Sequence, residues 1–411
     1  MNESLARPMR ILIACDTFAP DVNGSAKFST SLAAGLTKRG HEVHVVASAL
    51  GRGKQGTHVE EHEGARFTVH RLRSIRYPGH DWLRFAEPWR ARNNAASLLD
   101  ALQPDVVHFQ SHIILGRAFS FEAAKRGIRL VGTNHIMFEN LMDHSLIPAP
   151  LQSGTVTQLW RDAGRIFERC DVVTTPTKRS ARFLEQRTGI QRVHAVSCGI
   201  NADDYTVSDA RQRGTVTFVG RVTSEKNIDV LVRAFAKLPK DLAKRLEIVG
   251  TGDLIESLGK LAVELGIGDR VNLTGYVTNE ELRAILTRSE VFGMPSTAEL
   301  QSIATMEAMA SGLPVVAADA MALPHLVYDN ENGYLFTPGD VDDLATKLQR
   351  VLESSDAEYE RMQRRSLALV SPHDIATTLS TFEAIYRGED VEDPSTEVTF
   401  ADSGETEGST H

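Results

Sequence analysis

Two glutamates eight residues apart, Glu299 and Glu307, are the residues best placed to do chemistry in this sequence. The pattern around them predicts a helix that begins near Ser302, a suitable N-cap, and ends at Gly312. Glu307 falls on the apolar stripe of that helix, where a carboxylate is costly unless it is paired or hydrogen-bonded. Ribose hydroxyls could satisfy both of its oxygens, and the helix N-terminus beside Glu299 suits a phosphate. A structural ion pair is the alternative for Glu307, but the two acids and the helix start together favour a binding site.

Two cations five residues apart, Arg221 and Lys226, follow a strand-like run that ends at Gly220. Arginine can grip a phosphate with two hydrogen bonds, and lysine adds a point charge. The pair could neutralise a leaving diphosphate. Ordinary exposed charge is the better interpretation for one cation, whereas two cations at the end of a strand favour phosphate.

Two glycine-containing turns also follow strand-like runs, at residues 21–25 and 250–252. Gly24 would allow a phosphate to approach the backbone closely. Neither segment matches G-x-G-x-x-G, so a nicotinamide cofactor is not indicated. Residues 250–252 are read as a tight turn.

Three histidines lie near strand ends in the first half of the chain. His135 follows the run 130–132, and at the carboxyl edge of a sheet it could donate to a sugar hydroxyl or to a developing charge. A lone histidine is more often structural, and only the position at a strand end favours a role for His135. His108 and His112 are assigned structural roles.

Short apolar runs alternate with amphipathic stretches along the chain, and the alternation restarts after residue 205. Runs of this kind are typical of parallel strands covered on both faces, so the fold class is α/β with doubly wound sheets. The first set of runs is 11–15, 43–47, 106–109, 130–132 and 172–175; the second is 216–219, 246–249, 271–273, 291–294 and 315–317. The clearest helical stretches are 27–39, 228–237, 253–265 and 375–386.

The alternation predicts two Rossmann-like domains that face each other across a cleft, because ligands of such sheets bind at the carboxyl ends of the strands. Residues 1–197 form the first domain in this prediction, and residues 198–372 form the second. A helix in residues 373–388 need not belong to the second domain. Closure of the domains would exclude water from the site.

The net charge of −9 over 411 residues comes almost entirely from the end of the chain. Residues 389–411 contain eight acids and no lysine or arginine, which predicts a disordered acidic tail. The remaining body is nearly neutral and does not resemble a protein that binds duplex DNA. Three scattered cysteines and the lack of a long apolar run argue against a disulfide scaffold, a metal site, a secretory signal and an integral membrane protein. A cytoplasmic location is expected.

Taken together, these motifs resemble the retaining nucleotide-sugar glycosyltransferases of family 4, which have the GT-B fold. The likeness extends in order over residues 9–388. The residues that carry it are Glu299 and Glu307 with the following stretch 308–317, Gly220, Arg221 and Lys226, Asn23 and Gly24, and Thr133, Asn134 and His135.

The resemblance implies a role for each of the main candidates. Glu307 would bind the ribose hydroxyls, and Glu299 would bind the donor sugar. Arg221 and Lys226 would hold the diphosphate, and His135 would touch the transferred sugar. The other donor-binding positions that it implies are Gly24, Thr251, Gly252, Tyr276, Val277, Leu300 and Gln301.

The sequence departs from the family pattern in two places. The family often has Glu-Gly-Phe-Gly, where this chain has Glu299 followed by Leu300, Gln301 and Ser302. The usual glycine pair of the first loop is replaced by Asn23 and a glycine, and asparagine tolerates a positive φ. Residues 299–302 and 134–140 look more like the branch that glycosylates lipids, including diacylglycerol-linked sugars, than like glycogen or sucrose enzymes.

The resemblance implies transfer of a hexose, mannose or glucose, from a donor of the GDP-mannose or UDP-glucose type to an acceptor hydroxyl on a glycolipid. Configuration would be retained, and neither a metal nor another cofactor is expected. Two alternatives stay open: a GT-B epimerase or phosphorylase, and a non-catalytic protein that binds nucleotide sugars. A pyridoxal-dependent phosphorylase would need a Schiff-base lysine, which the sequence does not assign.

Residues 70–93 combine six arginines with four aromatic residues, among them Trp82 and Trp89. Basic and aromatic residues together suit an anionic membrane surface or a lipid headgroup, which would place the protein at the inner face of the cell membrane. Pro78 and Pro88 argue against a long amphipathic helix. The alternative is that the aromatics pack into the first domain and the arginines are solvated. No nucleic-acid partner is expected.

Overall fold

The computed structural model describes residues 7–21, 23–76, 84–139, 149–208 and 211–391. Its first domain contains an eight-stranded sheet, and a separate two-stranded sheet lies beside it. The strands are β1 (Arg10–Cys15), β2 (Glu42–Ser48), β3 (Gly56–His62), β4 (Ala65–Leu72), β5 (Ser74–Arg76), β6 (Arg84–Ala86), β7 (Val106–Phe109), β8 (Arg129–Thr133), β9 (Val172–Thr175) and β10 (Val193–Ala195).

The large sheet has the strand order β10-β9-β8-β7-β1-β2-β4-β3, and only the edge pair of β3 and β4 is antiparallel. The sequence did not predict this hairpin, because β3 is exposed and carries no apolar run. In β1, Ile11 and Ile13 face one core, and Leu12 faces the other. Burial on both faces explains why the parallel strands are apolar without alternation.

Helices from the described residues that precede the link between the domains flank this sheet. They are α1 (Gly24–Lys38), α2 (Pro88–Leu102), α3 (Leu115–Lys125), α4 (Ala149–Phe167) and α5 (Lys178–Thr188). Asp16, in the loop after β1, accepts hydrogen bonds from the Ile114 and Leu115 amides at 3.2 and 2.9 Å and so holds the start of α3. The loop after β1 is thereby fixed to the loop after β7.

The second domain contains a six-stranded parallel sheet in the order β13-β12-β11-β14-β15-β16. Its strands are β11 (Thr215–Val219), β12 (Arg245–Val249), β13 (Val271–Gly275), β14 (Val291–Met294), β15 (Val315–Ala318) and β16 (Gly333–Phe336). Its helices are α6 (Ile228–Lys237), α7 (Ile255–Glu264), α8 (Asn279–Arg288), α9 (Ile303–Ala310), α10 (Val341–Leu352) and α11 (Asp356–Val370). The prediction of two doubly wound α/β domains is confirmed.

A final helix, α12 (Ile375–Arg387), leaves the second domain and packs on the first. Leu379 and Phe382 belong to the same core as Ile13, and a side chain added at Gly35 of α1 would lie 2.5 Å from Leu379. The crossing is fixed where the Ile200 amide donates to the His373 carbonyl at 2.8 Å. Of the predicted disordered tail, residues 389–411, only 389–391 are described, and residues 392–411 lie outside the described residues.

In each sheet the strand order reverses once, between β1 and β7 and between β11 and β14. Ligands of doubly wound sheets bind in the crevice outside the carboxyl ends of the strands at such a reversal. The loops that leave β1 and β14 therefore belong to the two expected ligand crevices, and both lead directly into a helix, α1 and α9 respectively.

Candidate active site

Apart from Glu307, the predicted residues of the second domain lie in the segments that directly follow four adjacent strands. Parallel strands end at one edge of a sheet, so these loops share that edge. Arg221 and Lys226 follow β11, Thr251 and Gly252 follow β12, Tyr276 and Val277 follow β13, and Glu299, Leu300 and Gln301 follow β14. The sequence spreads these residues over about 80 positions, and the sheet brings them to one edge.

Arg221 forms an ion pair with Glu225, with 3.0 Å between Nη2 and Oε1. The Thr223 hydroxyl donates to the same carboxylate oxygen at 2.7 Å. Burial works against the charge of Glu225, but Arg221 and Thr223 together hold the pKa of its carboxyl below the usual value. The sequence analysis did not identify Glu225, although a carboxylate four residues after an arginine is a common helical pairing.

Lys226 forms an ion pair with Glu299, with 2.5 Å between Nζ and Oε1. Both side chains are nearly buried, at 13% and 12% exposure. The side-chain amide of Asn227 donates from Nδ2 to the Thr297 hydroxyl at 3.2 Å, which ties the loop after β11 to the loop after β14. Lys226, which is predicted to bind phosphate, and Glu299, which is predicted to bind the sugar, therefore lie side by side where the strand order reverses.

Glu307 lies in α9 and is only 3% exposed. The ammonium of Lys27, in α1 of the first domain, forms an ion pair with its Oε1. The Tyr205 hydroxyl donates to the same oxygen at 2.8 Å, and burial together with the Glu307 charge raises the pKa of Tyr205 well above its usual value. The ion pair that the sequence left as an alternative for Glu307 is therefore present, and it spans the two domains.

Neither partner of Glu307 was predicted from the sequence. One feature of the sequence could have indicated Lys27, because it lies one helical turn after Gly24, a predicted donor-binding residue. No such feature indicated Tyr205, because it lies in the irregular link between the two sheets. Every residue of α9 from Thr305 to Ala310 is buried. The helix is therefore buried on all sides there, and not only along the single apolar stripe that the sequence predicted.

The starts of α1 and α9 lie close to each other across the cleft. A side chain added at Gly24 would come within 3.9 Å of Ile303 Cδ1. Ser302, at the N-cap of α9, has φ +71° and makes no capping hydrogen bond with its side chain, which explains why the family favours glycine there. Helix N-termini carry free N–H groups and a partial positive charge, so this is a favourable place for an anion.

Asn23 differs from the expectation for the first loop. Its φ is −142°, in the extended region, so its tolerance of positive φ is not used. It acts as the N-cap of α1, and its Oδ1 accepts a hydrogen bond from the Ala26 amide at 2.9 Å. Asparagine is among the best N-cap residues, which accounts for its presence.

His135 lies at the carboxyl edge of the first sheet, directly after β8. Its Nε2 donates to Gln110 Oε1 at 3.0 Å, and its ring packs on Phe28 with 5.2 Å between the ring centres. Burial lowers the pKa of His135 to about 3, so the imidazole is neutral at physiological pH. Because its one N–H is used at Gln110, the neutral ring can accept a hydrogen bond from a sugar hydroxyl at Nδ1, but it offers neither a second donor nor a positive charge.

The other two histidines lie inside the first domain. His108 is hydrogen-bonded to the Tyr386 hydroxyl of α12 at 2.7 Å and to Thr133 Oγ1 at 2.6 Å. His112 packs among Phe138, Trp160 and Phe167. Neither contacts the cation–acid pairs described above.

Gln301 uses its side chain in the link between the domains. Its Oε1 accepts from the Cys198 amide at 2.7 Å, and its Nε2 donates to Ser197 Oγ at 2.7 Å. Its neighbour Leu300 accepts a hydrogen bond at its carbonyl from Thr177 of the first domain at 3.1 Å. The predicted contact of Gln301 and Leu300 with the sugar donor would have to use backbone groups that these hydrogen bonds leave available. It stays a prediction.

The glycines of the 250–252 turn allow two loops to touch. A side chain at Gly250 would come within 1.9 Å of the Gly220 carbonyl, and one at Gly252 within 2.2 Å of the Val222 carbonyl. The loop that carries Arg221 thus rests on the loop after β12. Tyr276 at the end of β13 is 69% exposed and open to stacking by a flat ring.

Comparison with family models decides the class of protein. One model, described as Glycosyltransferase Family 4, matches residues 22–204, and another, described as Glycosyl transferases group 1, matches residues 208–367. The chain belongs to glycosyltransferase family 4. The two matches meet in the link between the two sheets, so each corresponds to one domain of this glycosyltransferase.

Curated relatives of this glycosyltransferase cover most of its length. A GDP-mannose-dependent alpha-mannosyltransferase of Mycolicibacterium smegmatis is 29% identical over 364 residues, which are 86% of this chain and 90% of the relative. The alpha-monoglucosyldiacylglycerol synthase of Streptococcus pneumoniae is 24% identical over 373 residues, 87% of this chain and 81% of the relative. Mannosyl- and glucosyltransferases are thus among its relatives.

Solved structures support the GT-B fold of this glycosyltransferase. The Anabaena protein HepE in complex with UDP-glucose superposes with a TM-score of 0.73 at 17% identity, over 92% of this chain and all of HepE. At that identity the likeness concerns the fold alone. It confirms the prediction of two Rossmann-like domains across a cleft.

The basic and aromatic segment 70–93 of this glycosyltransferase is described only in part, because Tyr77 and Trp82 lie outside the described residues. Four of its arginines have acidic partners: Arg71 with Glu60, Arg73 and Arg90 with Glu87, and Arg92 with Glu122. Exposed apolar area remains at Trp89, 68% exposed, and at Ile75, 41% exposed. None of the described helices is long and apolar enough to cross a bilayer.

Proposed function

We propose that the protein transfers a hexose, with retention of configuration, from a nucleoside-diphosphate sugar to an acceptor hydroxyl on a glycolipid. The observation that carries this proposal is a set of three cation–acid pairs, assembled where the carboxyl edges of the two sheets meet. The pairs are Arg221 with Glu225, Lys226 with Glu299, and Lys27 with Glu307. A nucleotide sugar has the matching groups, since its diphosphate suits the cations and its hydroxyls suit the acids.

In this proposal the second domain binds the donor. Glu307 accepts hydrogen bonds from the ribose hydroxyls, and Glu299 accepts hydrogen bonds from hydroxyls of the donor sugar. Arg221, Lys226 and the start of α9 hold the diphosphate. When the bond to the sugar breaks, negative charge builds up on the leaving phosphate, and preorganised cations stabilise it more in the transition state than in the ground state.

The acceptor then attacks from the face that the diphosphate leaves. The sugar at that stage resembles an oxocarbenium ion, and the leaving phosphate assists removal of the acceptor proton. This route needs neither a protein nucleophile nor a metal. His135 touches the transferred sugar as a neutral hydrogen-bond acceptor at Nδ1, which agrees with the low pKa of its imidazole and with the use of its N–H at Gln110.

Support for the donor and the acceptor comes from the relatives. The mycobacterial relative is named for GDP-mannose, and HepE was solved with UDP-glucose. The streptococcal relative is named for monoglucosyldiacylglycerol, a sugar-bearing lipid. We therefore propose a donor of the GDP-mannose or UDP-glucose type and a lipid-linked acceptor.

A lipid-linked acceptor would require the protein to reach an anionic membrane surface, and exposed Trp89 and Ile75 are the apolar groups available for this in the described part of segment 70–93. Sedimentation with anionic liposomes at low salt tests the contact. We expect binding that is weakened by Trp89→Ala and retained by Val59→Ala, a control at an exposed apolar position on strand β3 of the same domain. Absence of binding at low salt would remove the membrane from the proposal.

The experiment that tests the function begins with thermal shifts against a panel of nucleotide sugars, which includes GDP-mannose and UDP-glucose. Whichever donor stabilises the protein is then incubated with diacylglycerol-linked acceptors, and the anomeric configuration of the product is read by proton NMR. We expect an α-linked product from an α-linked donor. A β-linked product would contradict retention.

The same experiment separates the alternatives. Donor binding with neither transfer nor slow donor hydrolysis would favour a non-catalytic nucleotide-sugar-binding protein. Conversion of the sugar while it stays free or attached to the nucleotide would favour an epimerase.

A further inference from the structure

We infer that Lys27 is a donor-binding residue supplied by the first domain. In the structure its ammonium forms an ion pair with Glu307. When the ribose of the donor occupies Glu307, the ammonium is released to the diphosphate. The inference rests on the proposed function and assigns a further residue to the same site.

The position of Lys27 supports this exchange. It lies three residues after Gly24, so both residues face the same side of α1, and helical side chains tilt toward the helix N-terminus. Its partner Glu307 lies four residues after Ile303 at the start of α9. The Lys27–Glu307 pair therefore stands beside two helix N-termini, which is where a diphosphate is best accommodated.

Exposure differs sharply between the two partners. The Glu307 side chain is 3% exposed, whereas the Lys27 side chain is 39% exposed. The carboxylate is thus fixed inside the second domain, and the long, flexible lysine can leave it without exposing a core. Tyr205 donates to the same Glu307 oxygen, so one hydrogen bond to the carboxylate persists after the ammonium has moved.

The charge balance of the site gives the reason for the exchange. Each of the three cations described above is paired with an acid, so a diphosphate must compete with those acids for the cations. The hydroxyls of ribose and hexose are neutral and can take over as partners of the acids. Donor binding then turns three internal ion pairs into cations that face an anion.

The exchange also joins the domains. Arg221 and Lys226 belong to the second domain, whereas Lys27 belongs to the first. A diphosphate held by all three would bridge the cleft and draw the lobes together, while the nucleoside part would contact the second domain. The prediction is that Lys27 matters for binding of a nucleoside diphosphate and not for binding of the nucleoside alone.

Isothermal titration calorimetry on the full chain tests this prediction with UDP, GDP, uridine and guanosine, the nucleosides being measured by competition. Lys27→Met removes the ammonium and keeps the length of the side chain, and Lys27→Arg restores a cation. Lys38→Met at the exposed end of α1 is the matched control. Thermal melting of each variant establishes that it is folded.

We expect Lys27→Met to weaken binding of the preferred nucleoside diphosphate about tenfold, with the nucleoside bound as well as before or better. Lys27→Arg should recover most of the loss, and Lys38→Met should have no effect. An unchanged affinity for the diphosphate would overturn the inference. An equal loss for nucleoside and diphosphate would also overturn it, because Lys27 would then act only by positioning Glu307. Failure of the unmodified protein to bind either UDP or GDP would instead contradict the proposed function itself.

Discussion

The two faces of the cleft are built from different chemistry. On the second-domain face, Arg221, Lys226 and Glu307 are charged groups held in ion pairs. On the first-domain face, the predicted contact His135 is neutral and is oriented by Gln110, another neutral group. Lys27 is a cation that the first domain contributes to this assembly of pairs.

This difference matches the two kinds of substrate in the proposed reaction. A diphosphate develops charge as it leaves, and charged groups stabilise it best when they are already oriented. A hydroxyl-rich sugar or acceptor needs direction rather than charge, and neutral hydrogen bonds supply it. Substitutions on the charged face should therefore cost far more activity than substitutions on the neutral face.

The largest effect is expected from Lys226→Met. Removing a cation that stabilises the leaving phosphate should lower kcat by about 10²–10³-fold, in the range found when one preorganised donor to a developing anion is removed. Steady-state kinetics with the identified donor measures it, and Lys240→Met on the exposed surface is the control. A loss of less than tenfold would show that the charged face does not carry the chemistry.

Glu307→Gln should follow, with its effect on donor binding. The amide keeps the shape of the carboxylate but loses the charge and one acceptor oxygen, so we expect donor affinity to fall by roughly ten- to a hundredfold. Calorimetry measures the change, and Glu264→Gln on α7 is the matched control. Undiminished affinity would contradict the ribose-binding role of Glu307.

His135→Asn tests the neutral face. Loss of one neutral hydrogen bond to the sugar should lower kcat by no more than about tenfold and leave affinity for the nucleoside diphosphate unchanged. Because burial lowers the pKa of His135 to about 3, the pH–rate profile of the unmodified enzyme should show no step from this imidazole between pH 5 and 8. A step in that range that disappears in His135→Asn would show that this face becomes charged after all.

His112→Phe should have the smallest effect on activity at neutral pH, because His112 packs among aromatic side chains inside the first domain. Both ring nitrogens of His112 lack a hydrogen-bond partner among the described residues, and burial lowers its pKa to about 3. The unfolded chain therefore binds a proton below about pH 6.5 that the folded protein does not, and stability falls as the pH drops.

For this variant we expect the loss of unfolding free energy between pH 7.5 and pH 5 to be smaller by about 2 kcal/mol than in the unmodified protein. Urea denaturation at the two pH values measures it, and His58→Phe at an exposed position is the control. An unchanged pH dependence would mean that His112 is protonated in the folded state.

Much of the fold could be predicted because the parallel strands are buried on both faces. The predicted run 106–109 coincides with β7, and the predicted helix 228–237 coincides with α6. The hairpin of β3 and β4 was missed because its outer strand is exposed and polar. A local pattern of apolar residues indicates that a strand is buried, so such a pattern cannot identify a strand that is exposed.

Both partners were predicted for only one of the three ion pairs of the site, and for the other two pairs only one partner was predicted. Lys226 and Glu299 were each selected from the sequence, but nothing in the spacing of 73 residues showed that they touch. Gln301 was selected as a donor contact, whereas its side chain serves the link at Ser197 and Cys198. The direction in which a side chain points depends on its loop, and loop conformation does not follow from apolar periodicity.

The amino-acid sequence by itself determined the class of this protein: two doubly wound domains, with Arg221 and Glu307 after particular strands of the second. Those properties follow from local pattern, because the periodicity of apolar residues and the position of a strand end can both be recognised within a short stretch of sequence. Only the tertiary structure decided that Lys27 and Tyr205 converge on Glu307, since that contact joins residues 280 and 102 positions apart. Contacts between domains arise from packing of whole sheets and helices, and no short stretch of sequence contains that information.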